Sequence, residues 1–583
     1  MTKPGNPRQL DTLLQQALAL QQNGALSDAE EIYREILAQR PRHFDALQLL
    51  GALMLQTRRI EEGAQLLQRA IAINGTQAPL HSNLAFALNA LGRPTDALAS
   101  ANRALALKPG FADALNNRGM ALAALDRPNE ALSSFDKALA AKADFPAAWN
   151  NRSCALRDLG RAADALASCE AALQLRPDYA EAWSNRGNAL SDLNRPLEAQ
   201  ASYERALELA PDFVDAWNNL GLTFVDLDRH SEALESYERA LALAPEAVET
   251  RWNRALCLLQ LGRLDEGWAE YEWRWRRKRI AAGSLTFDAP LWHGDASLEG
   301  KTILLHAEQG LGDTLQFCRY AALVAQRGAR VILEVQPELM RLLRDLDGVA
   351  ELIKTGARLP HFDYHCPLLS LPLALHTTLD TIPATTPYLH ADDEIADRFR
   401  ARIDEAMAGS GSDSGALKVG LVWAGGARAH VPELRKNDAR RSLAFEQLAP
   451  VLDVPHVQFF SLQKGAAAAQ LRDAQAAQPE PQAPARRIID WTDDLHDFAD
   501  TAALVANLDL IISVDTSSAH LAGAMNRPVW ILNRLDTCWR WMLEREDSPW
   551  YPSARLFRQP SLGDWASVLA AVADALRLRS TTT

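Results

Sequence analysis

The stretch AEAWSNRGNALSDLNRPLEAQASYERALELAPDF, residues 180–213, is one copy of a pattern that recurs every 34 residues through the first half of the chain. Its small residues Gly187, Ala199 and Ala206 alternate with the bulky Trp183 and Tyr203, and Pro211 closes it. Eight registers begin at positions 10, 44, 78, 112, 146, 180, 214 and 248. The first small position reads Ala17, Gly51, Ala85, Gly119, Ser153, Gly187, Gly221 and Ala255; the second reads Ala29, Gly63, Ala97, Ala131, Ala165, Ala199, Ala233 and Gly267. Small residues at these spacings let two antiparallel helices approach within a repeat and then against the next. Trp149, Trp183 and Trp217 on the first helix, and Tyr33, Phe135, Tyr203, Tyr237 and Tyr271 on the second, fill the remaining space. Proline recurs at Pro41, Pro109, Pro177, Pro211 and Pro245, where a helix must stop.

The pattern resembles the tetratricopeptide repeat (TPR). That resemblance implies an all-α superhelix over residues 10–281 with a long concave groove, stabilised repeat by repeat. The last register departs from the pattern, with Arg274 and Arg279 where Ala and Pro belong, inside Trp273-Arg-Trp-Arg-Arg-Lys-Arg279. Aromatics interleaved with cations suit a nucleic-acid or lipid stripe. In an acidic chain they read instead as a capping helix whose apolar side docks while its charges stay wet.

The sixth position of six consecutive registers is asparagine: Asn83, Asn117, Asn151, Asn185, Asn219 and Asn253. An asparagine side chain offers a donor and an acceptor, so a ladder of them could hold an extended polypeptide largely regardless of its sequence. The alternative, that these residues only cap or hydrate the groove, stays open. Gln15 and Leu49 occupy the position in the first two registers, so a ladder begins at the third.

The whole chain has 583 residues, 48% hydrophobic and 23% charged, the balance of a globular protein. Its 61 Lys and Arg against 74 Asp and Glu give a net charge of −13, which argues against coating nucleic acid or an anionic membrane. The first residues carry no apolar core of signal-peptide length, and no apolar run reaches the ~20 residues of a membrane span. Six scattered cysteines without a Cys-x-x-Cys read as small hydrophobes in a reducing compartment. The expected address is the cytoplasm.

Beyond residue 281 the pattern changes to short apolar runs followed by helical stretches. The expected strands are Thr302–His306, Val331–Val335, Tyr388–His390, Val419–Trp423, Val457–Leu462, Ile488–Trp491, Leu508–Val514 and Val529–Leu532. Strands alternating with helices imply parallel sheets covered on both faces. The expected division is an α/β region 287–408 and a second one 416–583. Between them lies a glycine- and serine-rich hinge, Gly409–Gly415. Gln478–Pro484 is expected to be a surface loop. The last helix, about Asp564 to Leu578, is expected to cross back and brace the first half.

Two strand-to-helix junctions carry chemistry. The first reads Ala307-Glu-Gln-Gly-Leu-Gly-Asp313. Its glycines let backbone N–H groups approach a ligand, and the following helix points its positive end the same way. Gly310-x-Gly312-x-x-Leu315 is one glycine short of a dinucleotide fingerprint, although Glu334 lies about 20 residues on, so an NAD reading stays open here. The second junction is Asp515-Thr-Ser-Ser-Ala-His-Leu-Ala-Gly-Ala524. Thr516, Ser517 and Ser518 stand at a helix start and His520 within its first turn, which suits either a phosphate guest or a plain helix cap.

Taken with Gly420-Leu-Val-Trp-Ala-Gly425, Ser461-Leu-Gln-Lys-Gly465, Trp539-Arg-Trp541 and Ser548-Pro-Trp-Tyr-Pro552, these junctions resemble the heptosyltransferase-like (family nine) glycosyltransferases of the GT-B fold. The resemblance covers most of residues 287–578, and the plan as a whole is similar to protein O-GlcNAc transferase and to bacterial TPR flagellin glycosyltransferases. Residues 425–441 depart from the expected segment in being longer and Ala-rich, so donor preference is not read from them. The resemblance implies an inverting, metal-independent transfer from a nucleotide sugar, as substrate rather than cofactor, to Ser or Thr of a protein in the TPR groove. Flagellin or another surface protein is the first acceptor implied. Asp313 is then the base. Gln309, Gly310, Gly312, Trp423, Lys464, Asp515, Thr516, Ser517, Ser518 and His520 bind the donor, with Lys464, the Thr516–Ser518 helix start and His520 on the leaving phosphates. No metal, nucleic acid or membrane span is expected. The Asp226/Asp228 and Asp345/Asp347 pairs read as solvated turn residues. Two rivals stay open: a TPR scaffold with a degenerate GT-B region, and a transferase acting on a saccharide or lipid-linked acceptor.

Overall fold

The computed structural model describes residues 7–277, 287–409, 415–426, 432–477 and 487–581. Arg279, most of the Gly409–Gly415 hinge and the Gln478–Pro484 tract lie outside the described residues, as does the middle of the 425–441 segment. The chain divides into two compact units, one ending at Ala216 and one beginning at Trp217.

The N-terminal region is an all-helical TPR array, sixteen helices from Pro7–Gln22 to Leu264–Tyr271. In the first unit the quoted repeat forms helices Ala180–Asp192 and Pro196–Leu209. Proline at the first turn of the second helix costs no hydrogen bond, because that N–H has no intrahelical partner. The turn between paired helices places one residue per repeat in left-handed backbone, at Gly24, Arg58, Gly92, Asp126, Gly160 and Asn194. The small-for-large pairing is literal. A Cβ on Gly187 would stand 2.6 Å from Tyr203 Cε1, so the ring seats where the first helix has no side chain.

The second unit contains the last helices of the array and the α/β region. β1 (Thr302–His306), β2 (Arg330–Val335), β3 (Val349–Lys354) and β4 (Tyr364–Pro367) form a parallel sheet in the order β3-β2-β1-β4. β5 (Leu417–Val422), β6 (Val457–Ser461), β7 (Ile489–Asp490), β8 (Leu510–Val514), β9 (Val529–Asn533) and β10 (Ala554–Arg558) form a second, in the order β10-β9-β8-β5-β6-β7. The second order is that of a dinucleotide-binding sheet read from its far edge. One continuous apolar core joins the two sheets and the end of the array, containing Ile303, Leu305 and Leu333 together with Val422, Phe460 and Ile511, and Trp268 and Tyr271.

The structure corrects four expectations. Tyr388–His390 is not a strand: the Tyr388 N–H donates to the Ala524 carbonyl (3.0 Å) and its hydroxyl to the Leu315 carbonyl (2.8 Å), so it bridges two helices. Edge strands β3 and β10, interrupted by Glu351, Arg555 and Arg558, and the four-residue β4 lack the apolar runs by which strands were read. The last helix, Trp565–Ser580, does not brace the first half. Its Val568, Leu569, Val572 and Leu576 pack with Leu417, Val419 and Leu421 on the second sheet. The helix that does reach across is Asp393–Gly409, where Asn507 Nδ2 donates to the Ala396 carbonyl at 2.8 Å.

The fourth correction concerns the end of the array. Its cations do not all stay wet: Arg274, in a 3-10 turn over Glu272–Arg276, has a relative exposure of 0%. It donates to both carboxylate oxygens of Glu308 at 3.0 and 2.9 Å. Nearby, the Trp268 indole donates to the Thr377 carbonyl (3.1 Å) and stands edge-on to Trp539, with ring centroids 5.2 Å apart. Removing one partner of a buried pair costs about 3–5 kcal/mol. A chain starting at Trp217 should therefore unfold in urea as one cooperative unit. A chain starting at residue 282, lacking Trp268, Tyr271 and Arg274, should show no native near-ultraviolet circular dichroism. Equal stability of the two truncations would refute this.

Candidate functional site

In an open parallel sheet, ligands bind beyond the C-terminal strand ends where the strand order reverses. In the second sheet that point lies between β5 and β8. β5 exits through Trp423-Ala-Gly425 and β8 through Asp515-Thr516 into the Ser517–Ala524 helix. Arg441 spans the gap: its Nη1 donates to the Asp515 carbonyl (3.3 Å), and a Cβ on Gly425 would stand 2.5 Å from its Nε. Asp438 holds the other end of the guanidinium at 2.9 Å. The first amides of the Ser517–Ala524 helix have no intrahelical acceptor, so they and the Arg441 guanidinium, itself paired with Asp438, are the donors this switch point can offer an anion.

Facing it is the Leu311–Phe317 helix, which follows β1. The Gly310 N–H donates to Asp313 Oδ2 at 2.9 Å, so Asp313 caps its own helix. Its other oxygen accepts from Arg540, in the Trp539–Trp541 turn of the second sheet's region. Arg540 also donates from Nε to Gln316 Oε1 at 2.7 Å. A Cβ on Gly312 would meet His520 Cδ2 at 2.9 Å and Ser517 Cα at 3.5 Å, so the two helix starts touch there. Gly312 thus serves helix packing, whereas Gly310 is exposed.

Several expected donor contacts are placed differently. Trp423 has 0% exposure and stands edge-on to Phe445 with its indole on Gln470, so its side chain is core. His520, 5% exposed, shares a hydrogen bond between Nδ1 and the Tyr551 hydroxyl (3.0 Å) and stacks on Trp541 at 5.3 Å. Burial holds its pKa down at about 3, so the ring is neutral at ordinary pH. Lys464 Nζ donates to the Thr492 and Leu495 carbonyls (2.6 and 2.8 Å), tying down the loop after β7. The Thr516 hydroxyl turns back to Ser513 Oγ at 2.9 Å. Ser517, Ser518 and Asp515 are half-buried at the switch point. Gln309 donates to the Tyr271 hydroxyl (3.2 Å). Glu334, the acidic residue of the dinucleotide reading, is buried and accepts from the Gly356 N–H at 3.3 Å.

The asparagine ladder is also partly spent. Asn117 donates to the Ser82 carbonyl (2.9 Å), Asn151 to Asn116 (3.0 Å) and Asn185 to Asn150 (2.9 Å); within the second unit Asn253 donates to Asn218 (2.9 Å). These side chains stitch each repeat to the one before it, each spending an amide N–H on its neighbour. Asn83 and Asn219 occupy the same register, with Asn219 Oδ1 accepting from Asn218 at 3.1 Å. Asp226 is not a solvated turn residue. It pairs with Arg440 at 2.7 Å, and Arg440 pairs in turn with Asp536 at 2.8 Å. Asp228, Asp345 and Asp347 are exposed or nearly so.

Tetratricopeptide-repeat models match five segments, residues 20–86, 84–146, 146–179, 184–245 and 221–273. Protein FlbA of Caulobacter vibrioides (strain ATCC 19089 / CIP 103742 / CB 15) is 28% identical over 335 residues, 53% of this chain and 52% of that protein. The chain therefore spans about half the length of this curated relative. Among solved structures, TTC0263, a thermophilic TPR protein in Thermus thermophilus, is 27% identical and covers 31% of this chain and 99% of its own, with a TM-score of 0.29. YrrB, a TPR protein with an unusual peptide-binding site, is 26% identical over 32% of this chain and 96% of its own, with a TM-score of 0.27. Among the described residues, no helix is long and apolar enough to cross a membrane.

Arg441, Arg540 and Tyr551 are the site residues that sequence reasoning missed. Trp539-Arg-Trp541 and Ser548-Pro-Trp-Tyr-Pro552 were visible as motifs, but only the fold brings their side chains to Asp313 and His520.

Two measurements test this packing. Gly312→Ala should destabilise the protein by about 1–3 kcal/mol in urea, since its methyl has to displace the His520 ring; unchanged stability would mean the helix starts are not in contact. His520 and His306 both have pKa values depressed by burial from 6.5 to about 3. As pH falls below 6.5 the unfolded chain takes up protons that the folded chain refuses, so stability is lost from 6.5 down to about 3. His520→Gln should flatten the slope of stability against pH in that window by up to about 1.4 kcal/mol per pH unit, and an unaltered slope would show that the ring titrates freely.

Proposed function

We propose that the chain is an inverting protein O-glycosyltransferase, moving a sugar from a nucleoside-diphosphate donor to Ser or Thr of a polypeptide engaged by the repeats. The observation that carries this reading is the meeting of Arg441 with the exit of β8 and the start of the Ser517–Ala524 helix at the β5/β8 switch point, opposite the helix bearing Asp313. A diphosphate there would meet Arg441 and the Ser517 and Ser518 amides, which favour the charge that builds up on the leaving group. The acceptor oxygen forms the new bond to the anomeric carbon as the bond to the diphosphate oxygen breaks. The hydroxyl proton passes to Asp313. Each carboxylate oxygen has two lone pairs, so the bonds to Arg540 and Gly310 leave Asp313 able to accept it. Flagellin or another surface protein is the acceptor class this reading takes first.

A second reading, a TPR scaffold with an inactive α/β region, is favoured by the same pair. A carboxylate paired with a buried arginine, beside a neutral histidine, also describes a closed structural joint.

Thermal unfolding with millimolar nucleoside-diphosphate sugars separates the two. One of them should raise the melting temperature by several degrees, and Arg441→Gln should abolish the shift. Asp313→Asn should keep the shift while transfer, read as intact mass of a co-expressed acceptor, falls at least about 100-fold. If no donor shifts the transition, the scaffold reading stands and the transferase does not.

A further inference from the structure

The first sheet has a switch point of its own, beyond the ends of β1 and β4, where a ligand would ordinarily enter. Here the protein's own side chain occupies it. Arg274 reaches in from the terminal turn of the repeat array and grips Glu308 bidentately at 3.0 and 2.9 Å. Its remaining donors go to Glu272 Oε1 (2.6 Å), Ser370 Oγ (2.6 Å) and the Tyr271 carbonyl (3.2 Å). Glu308 also accepts the Leu369 N–H at 3.2 Å, which ties the exit of β1 to that of β4.

The grip continues into the next residue. Gln309 Nε2 donates to the Tyr271 hydroxyl (3.2 Å), and its carbonyl accepts from Gln336 Nε2 (3.0 Å), just past β2. Gln336 in turn accepts from Thr314 Oγ1 at 2.9 Å, inside the Asp313 helix. The segment leading to Asp313 is thus held from two sides, by β2 and by the last turn of the repeats. Stability alone does not call for such an arrangement, because well-packed apolar residues usually serve a buried site as well as an ion pair does. A bidentate pair instead fixes direction and register.

We propose that Arg274 and Tyr271 are positioning residues: the end of the repeat array sets the geometry of the Gln309–Asp313 segment. The catalytic consequence rests on the transferase reading of Asp313; the geometric one does not. The repeats then hold in place the loop that carries the base, as well as serving partner binding.

The test uses the full chain. Tyr271→Phe removes one hydroxyl and keeps the ring, which packs against Trp252, Trp268 and Trp539. It should leave the melting temperature within about 2 °C of the parent. Amide hydrogen exchange over residues 309–313 should quicken several-fold, while exchange over the Ser517–Ala524 helix stays unchanged. The kcat of transfer should fall about tenfold with the donor KM unchanged, the signature of a misplaced group rather than a lost binding contact. Arg274→Gln combined with Glu308→Gln removes both charges of the fully buried pair and leaves Glu272, which is part-exposed and still accepts from Ser370, as the one carboxylate without its arginine; it should quicken the same amides further, and Arg274→Lys with native Glu308 should restore them in part. Wild-type exchange over 309–313 in both Tyr271→Phe and the double variant would overturn the proposal. Should the parent transfer no sugar, the exchange measurement still decides it, and the failure belongs to the transferase reading alone.

Discussion

A ring can reach the backbone of a helix only where that helix gives up a Cβ. That constraint recurs in both units. Gly187 makes room for Tyr203 inside a repeat, and Gly221 for Tyr237 in the last repeats. Gly312 makes room for His520 where two helix starts meet, and on the same helix as His520 a Cβ on Gly523 would stand 2.5 Å from Tyr551 Cγ. The repeats and the candidate site are built by the same device, a missing methylene filled by a neighbour's ring. In the repeats this sets the spacing of helix pairs. At the site it brings Asp313 within reach of Arg540 and shuts His520 away from water.

Buried arginines do the joining in the second unit. Arg274 links the array to β1, Arg440 links Asp226 of the array to Asp536, and Arg540 links the second sheet's region to Asp313. Arg319 donates to the Pro383 and Trp550 carbonyls (2.9 and 2.8 Å) and to the Tyr388 hydroxyl (2.7 Å). Burial alone would lower the pKa of Arg274 and Arg540, but their carboxylate neighbours reverse this and hold both above the usual range. Guanidinium groups suit such joints because five donors in a planar fork can satisfy carboxylates and carbonyls at once. Arg441 is built differently. It is only partly covered, pairing with Asp438 on its own helix and reaching the Asp515 carbonyl.

The repeat region was legible because its signal is periodic and local. Gly187, Tyr203 and Pro211 say nearly everything about their hairpin within 34 residues of each other. The central strands β1, β5, β6 and β8 were legible as apolar runs, since a strand covered on both faces has no polar side to show. β3 and β10 were not, because an edge strand alternates charge with apolar residues, and Tyr388–His390 imitated a strand while serving as a bridge. Arg274 stood out as a departure from the repeat, but nothing local could say that its partner is Glu308, 34 residues on and across a change of fold.

By itself, then, the sequence determined the helical array, the alternation that builds parallel sheets, and the two glycine- and serine-rich helix starts, because each depends on neighbours along the chain. Only the tertiary structure decided which of those residues are buried and which partners they take. It made Trp423 core, His520 a neutral packed ring and Lys464 a loop tie, and it placed Arg441 on the Asp515 carbonyl and Arg540 on Asp313. Burial and ion pairing depend on what the rest of the chain brings alongside, and spacing in sequence carries no record of that.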